Sequence, residues 1–501
     1  MLVVGAGSAG ATLAARLARL GVGSVALVDA GPDTSTGGGP AWLSDPDRLG
    51  AADDPLVART PLRSGDPDPT GTAPVGELLS GRLVGGSSAV NSAYFVRATD
   101  SDLVRWSHVG PSWAPAGWLE AYRAVESDRD MVGPRHGSDG AVPVSRRSRP
   151  THPVTAALFA AAEGSGIAAH PDLNDGGELG WGLLPRNVDG RRRVGSGAML
   201  ADPLPDGLSV HGGVDVERIV FQGSRVVGVD ASVDGRSERL DASTVVISAG
   251  AVGSADLLWS SGIGPAEALR AAGRHVVQDA PGMGRRVSNH AAIELMWRPL
   301  RKLDQGPLLQ GVVHFAVGDG QPVEVLATCR PYGVATGEHP GDSVLSLRVS
   351  PMRPRSVGSI SWSGDLAVVE GRYLADPVDR TVLRSAVRQV TAWAHGEAFG
   401  DLLGEWSGPS PATLTSDEEL DRWVAAHLGT SMHPCSTAPA GPSDDPSAVV
   451  DEWGRVRGVE GLHVVACSIL PDVPSRGPAF TAMALGELLA PAVAATALAA
   501  A

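Results

Sequence analysis

Close to the start of the chain stands Gly5-Ala6-Gly7-Ser8-Ala9-Gly10, a GxGxxG, and Asp29 follows 24 positions after Gly5 (29 − 5). In this pattern the first glycine permits a tight turn and the second lets backbone approach a pyrophosphate. The third lets helix and strand pack closely. The helix then turns free N–H groups and a positive dipole end toward phosphates, and an acid about 20 residues on suits a ribose hydroxyl. Gly5, Gly7, Ser8, Ala9, Gly10, Asp29 and Ala30 are therefore candidates for holding the ADP half of a dinucleotide. Far along the chain, His433 lies in Met432-His433-Pro434-Cys435. An imidazole of ordinary pKa, near 6.5, accepts a proton at neutral pH. Cys435 beside it reads as a small buried residue, not a thiolate nucleophile.

Other chemistries lack their residues. There is no GxSxG elbow, no HExxH and no cluster with metal-ligand spacing, so no metal is expected. Lys302 is the only lysine and precedes Leu303, which removes a P-loop and leaves little room for a Schiff base. A formal charge of −15 and a pI near 5.3 oppose a nucleic-acid partner. Cys329, Cys435 and Cys467 are far apart and form no CxxC, so neither disulfides nor a zinc cage is expected; a reducing, cytoplasmic setting follows. No basic stretch precedes an apolar run at the N-terminus, and Leu2 to Val4 reads as a strand that lacks a residue or two upstream. The apolar run Ala482–Ala501 contains Glu487 and Pro491 and reads as a packed helix rather than a membrane span.

The elements that must carry these residues follow from periodicity. Leu2–Val4, a helix over Ala9–Leu20 with Leu13, Leu17 and Leu20 on one face, and Val25–Asp29 form a βαβ unit. From Gly31 to about Gly76 no period is sustained, which predicts a long surface excursion. Short strands are expected at Leu208–Val210, Ile219–Phe221, Val226–Val229, Val245–Ile247 and Val464–Ala466. Val245–Ile247 reads as a buried parallel strand feeding the Gly250–Gly253 turn. From Ala291 to Trp362 the pattern alternates, as at Leu345, Leu347 and Val349, which suits an antiparallel sheet with one covered face. Helices are expected over Arg380–Phe399 and from the capping box Ser416/Glu419. The fold class is α/β, α+β overall: a Rossmann-like nucleotide domain (1–145, 190–290 and 430–501) with an inserted substrate domain (146–189 and 291–429) on a largely antiparallel sheet.

The remaining motifs carry a resemblance. Gly81-Arg82-Leu83-Val84-Gly85-Gly86-Ser87-Ser88-Ala89-Val90-Asn91 resembles the flavin-contacting loop of the glucose–methanol–choline (GMC) oxidoreductases, and Tyr94, Arg97 and the pair Asp102 and Trp106 continue it. Gly250 to Leu258 with Ser261-Gly262-Ile263-Gly264-Pro265 is similar to the family's second signature. Pro281-Gly282-Met283-Gly284 with Asn289-His290 resembles a third landmark, which usually has Asp before that His. Met432 to Thr437 and Val449-Val450-Asp451 through Leu470-Pro471 resemble the C-terminal catalytic and flavin-capping region. The resemblance implies FAD, with Arg82, Val84, Gly86, Ser87, Asn91, Ala93, Val216, Ala249, Gly250, Ser254, Cys467, Ser468, Ala479 and Phe480 joining the candidate cofactor contacts. Val90 stands where relatives with covalent flavin have His, so the FAD is expected to be non-covalent.

The resemblance also implies that a small alcohol-type donor is oxidised, with His433 as the base. The family's second catalytic Asn or His, counted ten residues back from Glu487, falls on Gly477; Ser475, Arg476 and Asn91 are unranked substitutes. Asn91 to Ala98, His136 to Gly140 and Pro474 to Ala479 are similar to mycofactocin-associated GMC enzymes of actinobacteria. That similarity implies reoxidation of reduced mycofactocin (mycofactocinol) and electron transfer toward the respiratory chain, with a peripheral contact at the inner face of the membrane left open. A choline-type oxidase using oxygen, a hydroxynitrile-lyase-like enzyme and a flavin-binding module without turnover are the other readings.

Overall fold

The structure, a computed structural model, describes all residues except 35–37, 64–74, 147–150, 202, 340 and 501. Its first layer is a five-stranded parallel sheet ordered Leu208–Gly212, Val25–Asp29, Leu2–Val4, Val245–Ile247, Leu462–Val464. Its central strands, Leu2–Val4 and Val245–Ile247, are wholly apolar and buried, as a sheet covered on both faces requires. The helix Ser8–Arg19 turns nine residues from Ala9 to Ala18 inward. The long helix Ala479–Ala500 lies against it and against Pro115–Val125. Contact is close because position 486 is Gly: a Cβ there would lie 2.5 Å from the Ala9 carbonyl oxygen. Arg16 adds an ion pair to Glu487 at 3.0 Å. This helix is long and apolar enough to cross a membrane by length and composition, and half of its apolar window is buried in the fold. Trp106, Trp113, Trp118 and Tyr122 pack in a chain of tilted and edge-on rings on the same side. Truncating a buried Trp of this kind costs about 3–5 kcal/mol.

The second layer is a seven-stranded sheet whose central strands are Ala291–Pro299, Leu345–Pro351, Gln321–Thr328 and Leu309–Val317. Alternation divides its two faces. Ile293, Leu295, Trp297, Val313, Val323, Val325, Leu347 and Val349 pack against Leu383, Val387 and Val390 of the helix Pro377–Ala394 in one core. The opposite face carries Glu294, His314, Glu324, Arg348 and Ser350, in direct register as Glu294 opposite Arg348, His314 opposite Glu324, and Glu324 opposite Ser350. A polar sheet face turned inward is the feature that serves the site.

Two expectations need correction. Part of the stretch Gly31–Gly76 lies outside the described residues, but Val57–Arg63 is a strand and not open loop. It pairs antiparallel with Val75–Gly81 and parallel with Leu366–Glu370. Its stability comes from those partners, and only Val57 and Leu62 of it are buried, so no local period marks it. The last parallel strand is Leu462–Val464, not Val464–Ala466. Pairing with Val245–Ile247 ends at Val464, after which Cys467–Ile469 coils into a 3-10 turn.

Candidate functional site

The two glycine-rich motifs, about 80 positions apart in sequence, form one cradle. Gly85 N–H donates to the Ala6 carbonyl at 2.8 Å, and a Cβ on Gly86 would come within 2.7 Å of Gly7 Cα. Gly5 holds φ +99°, where its Cβ would meet the Ser248 carbonyl at 2.5 Å, and a Cβ on Gly10 would overlap the Gly5 oxygen at 1.9 Å. Only glycine permits this approach. Gly7 caps the Ser8–Arg19 helix without a side-chain bond, so the first-turn N–H groups stay free for an anion. Ala249 and Gly250 are exposed at the start of the next helix, which also lacks a side-chain cap. The Ser254, Ser436 and Ser468 hydroxyls are buried without partners. Orphaned donors and a Cβ-free cradle are what a phosphate-bearing dinucleotide fills, so the residues present fit FAD.

The structure places the other candidates unevenly. Asp29 is braced by backbone, accepting from Ala6 and Gly31 N–H at 2.8 Å each, and burial raises its pKa. Each oxygen keeps acceptor capacity for a ribose. Arg82 pairs with Asp215 at the surface, Ser87 accepts from Gly81 N–H, and Val84 is buried in the loop's base. Asn91 accepts from Ala93 N–H at 2.9 Å, which holds Ala93 at φ +56°. Val216 is half-buried where its strand slips register. Phe480 stacks on Phe95 with centroids 3.9 Å apart in the core, so its side chain is removed from the cofactor contacts and only its backbone, with Ala479, can line the cleft. Cys467 is a free cysteine beside the equally free, buried Cys435, whose thiol pKa burial pushes well up, in keeping with a packing role.

His433 is delivered by a strained loop: Met432 at φ +61° and Ser436 at φ +71° flank it. Asn289 fixes the loop, accepting from His433 N–H at 3.0 Å while donating to Tyr373 Oη at 2.6 Å and Thr430 Oγ1 at 3.1 Å. Asn, where the family usually has Asp, can donate and accept at once. His433 Nδ1 meets His290 Nδ1 at 3.0 Å. Burial lowers the His433 pKa well below 6.5, although the ring keeps partial access to solvent, and His290 adds to the effect. Burial takes His290 down to about 4. Both imidazoles are neutral at pH 7. The other nitrogen, His433 Nε2, looks toward Gly477, whose Cβ would stand 3.5 Å away.

Around this point gathers a polar cluster that no sequence motif marks. The Tyr94 hydroxyl donates to Glu324 Oε2 at 2.7 Å. His314 Nε2 donates to the same Glu324 oxygen at 3.0 Å. Glu324 is held ionised, down to about 2: burial opposes the charge, and His314, Tyr94 and Arg476 outweigh it. Arg476 is fully buried and binds the Ser475, Gly177 and Glu178 carbonyls. Ser475 is engaged by Asp102 at 2.7 Å and Arg353 at 3.1 Å. Ser475 therefore does not stand free as a second catalytic group, while Asn91 Nδ2 makes no hydrogen bond among the described residues. Strand alternation around Glu324 and His314 was the available signal for this wall. Elsewhere Glu126, Asp128 and His136 could hold a metal among the described residues, but the Arg97 and Arg146 guanidiniums already bind the two carboxylates.

Comparison with known proteins agrees with this geometry. GMC oxidoreductase family profiles match residues 1–292 and 354–486. An uncharacterized GMC-type oxidoreductase of Rhodococcus erythropolis is 35% identical, over 97% of this chain and 96% of its own. Human mitochondrial choline dehydrogenase is 30% identical over 95% of this chain and 86% of its own. The crystal structure of pyridoxine 4-oxidase from Mesorbium loti superposes with a TM-score of 0.87 at 25% identity, covering 98% of each chain.

Proposed function

The chain belongs to the GMC oxidoreductase family, FAD-dependent enzymes acting on alcohol-type donors, and within it we propose a dehydrogenase that reoxidises mycofactocinol. The observation that carries alcohol oxidation is the His433 ring, held at Nδ1 by His290 with its Nε2 facing Gly477. FAD, when bound, supplies the two-electron acceptor for the hydride of the carbinol carbon. The chain's own residues do the rest. His433 Nε2 takes the hydroxyl proton, His290 holds the ring, and the buried serines and glycine turns orient the cofactor. The lowered pKa keeps His433 unprotonated and free to accept at neutral pH, and transfer in step with hydride departure lets so weak a base serve.

Mycofactocinol as donor, electrons passing to the respiratory chain and a cytoplasmic site at the inner membrane face rest on the similarity of 91–98, 136–140 and 474–479 to the mycofactocin-associated enzymes. Non-covalent FAD rests on Val90. A second reading, a choline-type enzyme passing electrons to oxygen, is favoured by the 30% identity to an oxygen-dependent choline dehydrogenase of Rhizobium. Anaerobic mixing of the yellow holoenzyme with a panel of alcohols, reduced mycofactocin among them, separates these. Bleaching by mycofactocinol at the lowest concentration supports the first reading, and bleaching by choline with rapid oxygen uptake supports the second. No bleaching by any alcohol sinks both.

A further inference from the structure

Position 477 is glycine, and the space its side chain would take is already filled. A Cβ there would lie 3.1 and 3.2 Å from Cδ1 and Cε1 of Tyr94, tighter than ordinary contact, and 3.5 Å from His433 Nε2. The Tyr94 ring thus crowds the space that a 477 side chain would enter, and that same space borders His433 Nε2. Its place is fixed at both ends. The hydroxyl donates a hydrogen bond to Glu324, while the ring packs with Val312 and Leu326. Glu324 is fixed in turn by His314, directly opposite it on the neighbouring strand. A buried carboxylate is costly unless its partners are well placed. Here the Tyr94 phenol and His314 Nε2 meet the same Glu324 oxygen.

We infer that Tyr94, anchored by Glu324, replaces a side chain at 477 as the wall beside His433 Nε2 and determines the size of alcohol that reaches the base. Its proton is committed to Glu324, so Tyr94 acts by shape and not as a donor to the reacting oxygen. The site keeps one proton-accepting group and one steric wall.

The inference rests on the alcohol-oxidising reading, and its test has a part that does not. Tyr94→Ala, Gly477→Asn and the double variant form a thermodynamic cycle read by melting temperature of the FAD-loaded protein. Each single change lowers Tm, and the double variant loses less than the two losses together, because the Asn enters the volume the ring has left. Additive losses overturn the shared volume. The second part is anaerobic flavin reduction by primary alcohols of increasing bulk. Tyr94→Ala shifts the ratio of efficiencies toward the bulkier alcohol by about tenfold or more, the scale of a pocket changed by a few methylenes. Tyr94→Phe, which keeps the ring and loses the anchor, shifts it part of the way. A wild-type ratio in Tyr94→Ala overturns the wall, and a wild-type ratio in Tyr94→Phe overturns the anchor. Failure of every alcohol to reduce the wild type counts against the functional reading, and the melting cycle then decides the shared volume alone.

Discussion

His290 Nδ1 and His433 Nδ1 lie 3.0 Å apart, so one ring must donate and the other accept. The Met352 carbonyl approaches His290 and can only accept, while the His290 Nε2 has no well-aligned partner. The proton of neutral His290 therefore belongs on Nε2, an assignment made from neighbours, as tautomers must be. Its Nδ1 then accepts from His433 Nδ1–H, and the His433 lone pair falls on Nε2, the nitrogen facing Gly477. One histidine sets the tautomer of the other.

Removing the acceptor should be felt at the base. His290→Leu leaves the His433 Nδ1–H unpaired and frees the ring to rotate, whereas His290→Gln keeps an acceptor of similar reach. One neutral hydrogen bond is worth about 1 kcal/mol, so the Leu variant should lose roughly five- to tenfold in the rate of flavin reduction and the Gln variant much less. Equal losses in both would remove the tautomer argument.

His433→Ala should slow anaerobic bleaching by about 10²–10⁴-fold, the usual contribution of a positioned base, with the flavin still bound. The base works unprotonated and burial lowers its pKa well below 6.5. Reduction efficiency should then stay flat through neutral pH and fall only as the solution becomes distinctly acidic. A fall centred near 6.5 would place the titrating group elsewhere.

The glycine cradle makes a sharper demand. Gly86→Ala puts a Cβ 2.7 Å from Gly7 Cα, backbone against backbone, at φ +50°. Purified protein should carry little flavin, measured as bound FAD per chain. Gly223→Ala is the control: it also has positive φ (+62°) but meets nothing within 4 Å. It should keep its flavin and lose only about 1–2 kcal/mol of stability. Full flavin loading of Gly86→Ala would mean that the two loops do not share the cofactor.

Which features were legible in the sequence follows from how local their causes are. Gly5, Gly7 and Gly10 announce the first turn because each answers a steric need within a few residues, and Leu345, Leu347 and Val349 announce a one-sided sheet by alternation. The strand Val57–Arg63 stayed hidden because its partners, not its own residues, stabilise it. Phe480 looked like a cofactor residue by position, and only the fold shows its ring against Phe95. The cluster at the base draws Tyr94, His314 and Glu324 together across 230 positions. Hydrogen bonds between distant strands leave no period to count.

The buried histidines give the last prediction. Burial lowers His290, His314 and His463 to about 4 each from 6.5. A depressed folded pKa means that the unfolded chain binds protons first, so stability present above pH 6.5 is lost progressively as pH falls toward 4. Glu324, lowered to about 2 from 4.5, continues the loss from pH 4.5 downward. His136 runs the other way. The Glu126 carboxylate raises its pKa, so its contribution is full below 6.5 and disappears as pH rises through the raised value. His463 is the cleanest to test, since it lies on the parallel strand Leu462–Val464, opposite Val246 and away from the catalytic pair. From pH 7 to pH 5 a group moving from 6.5 to about 4 should cost about 2 kcal/mol. In His463→Leu the difference between urea unfolding free energies at pH 7 and pH 5 should shrink by that amount. An unchanged difference would show that His463 stays as solvated in the folded chain as in the unfolded one.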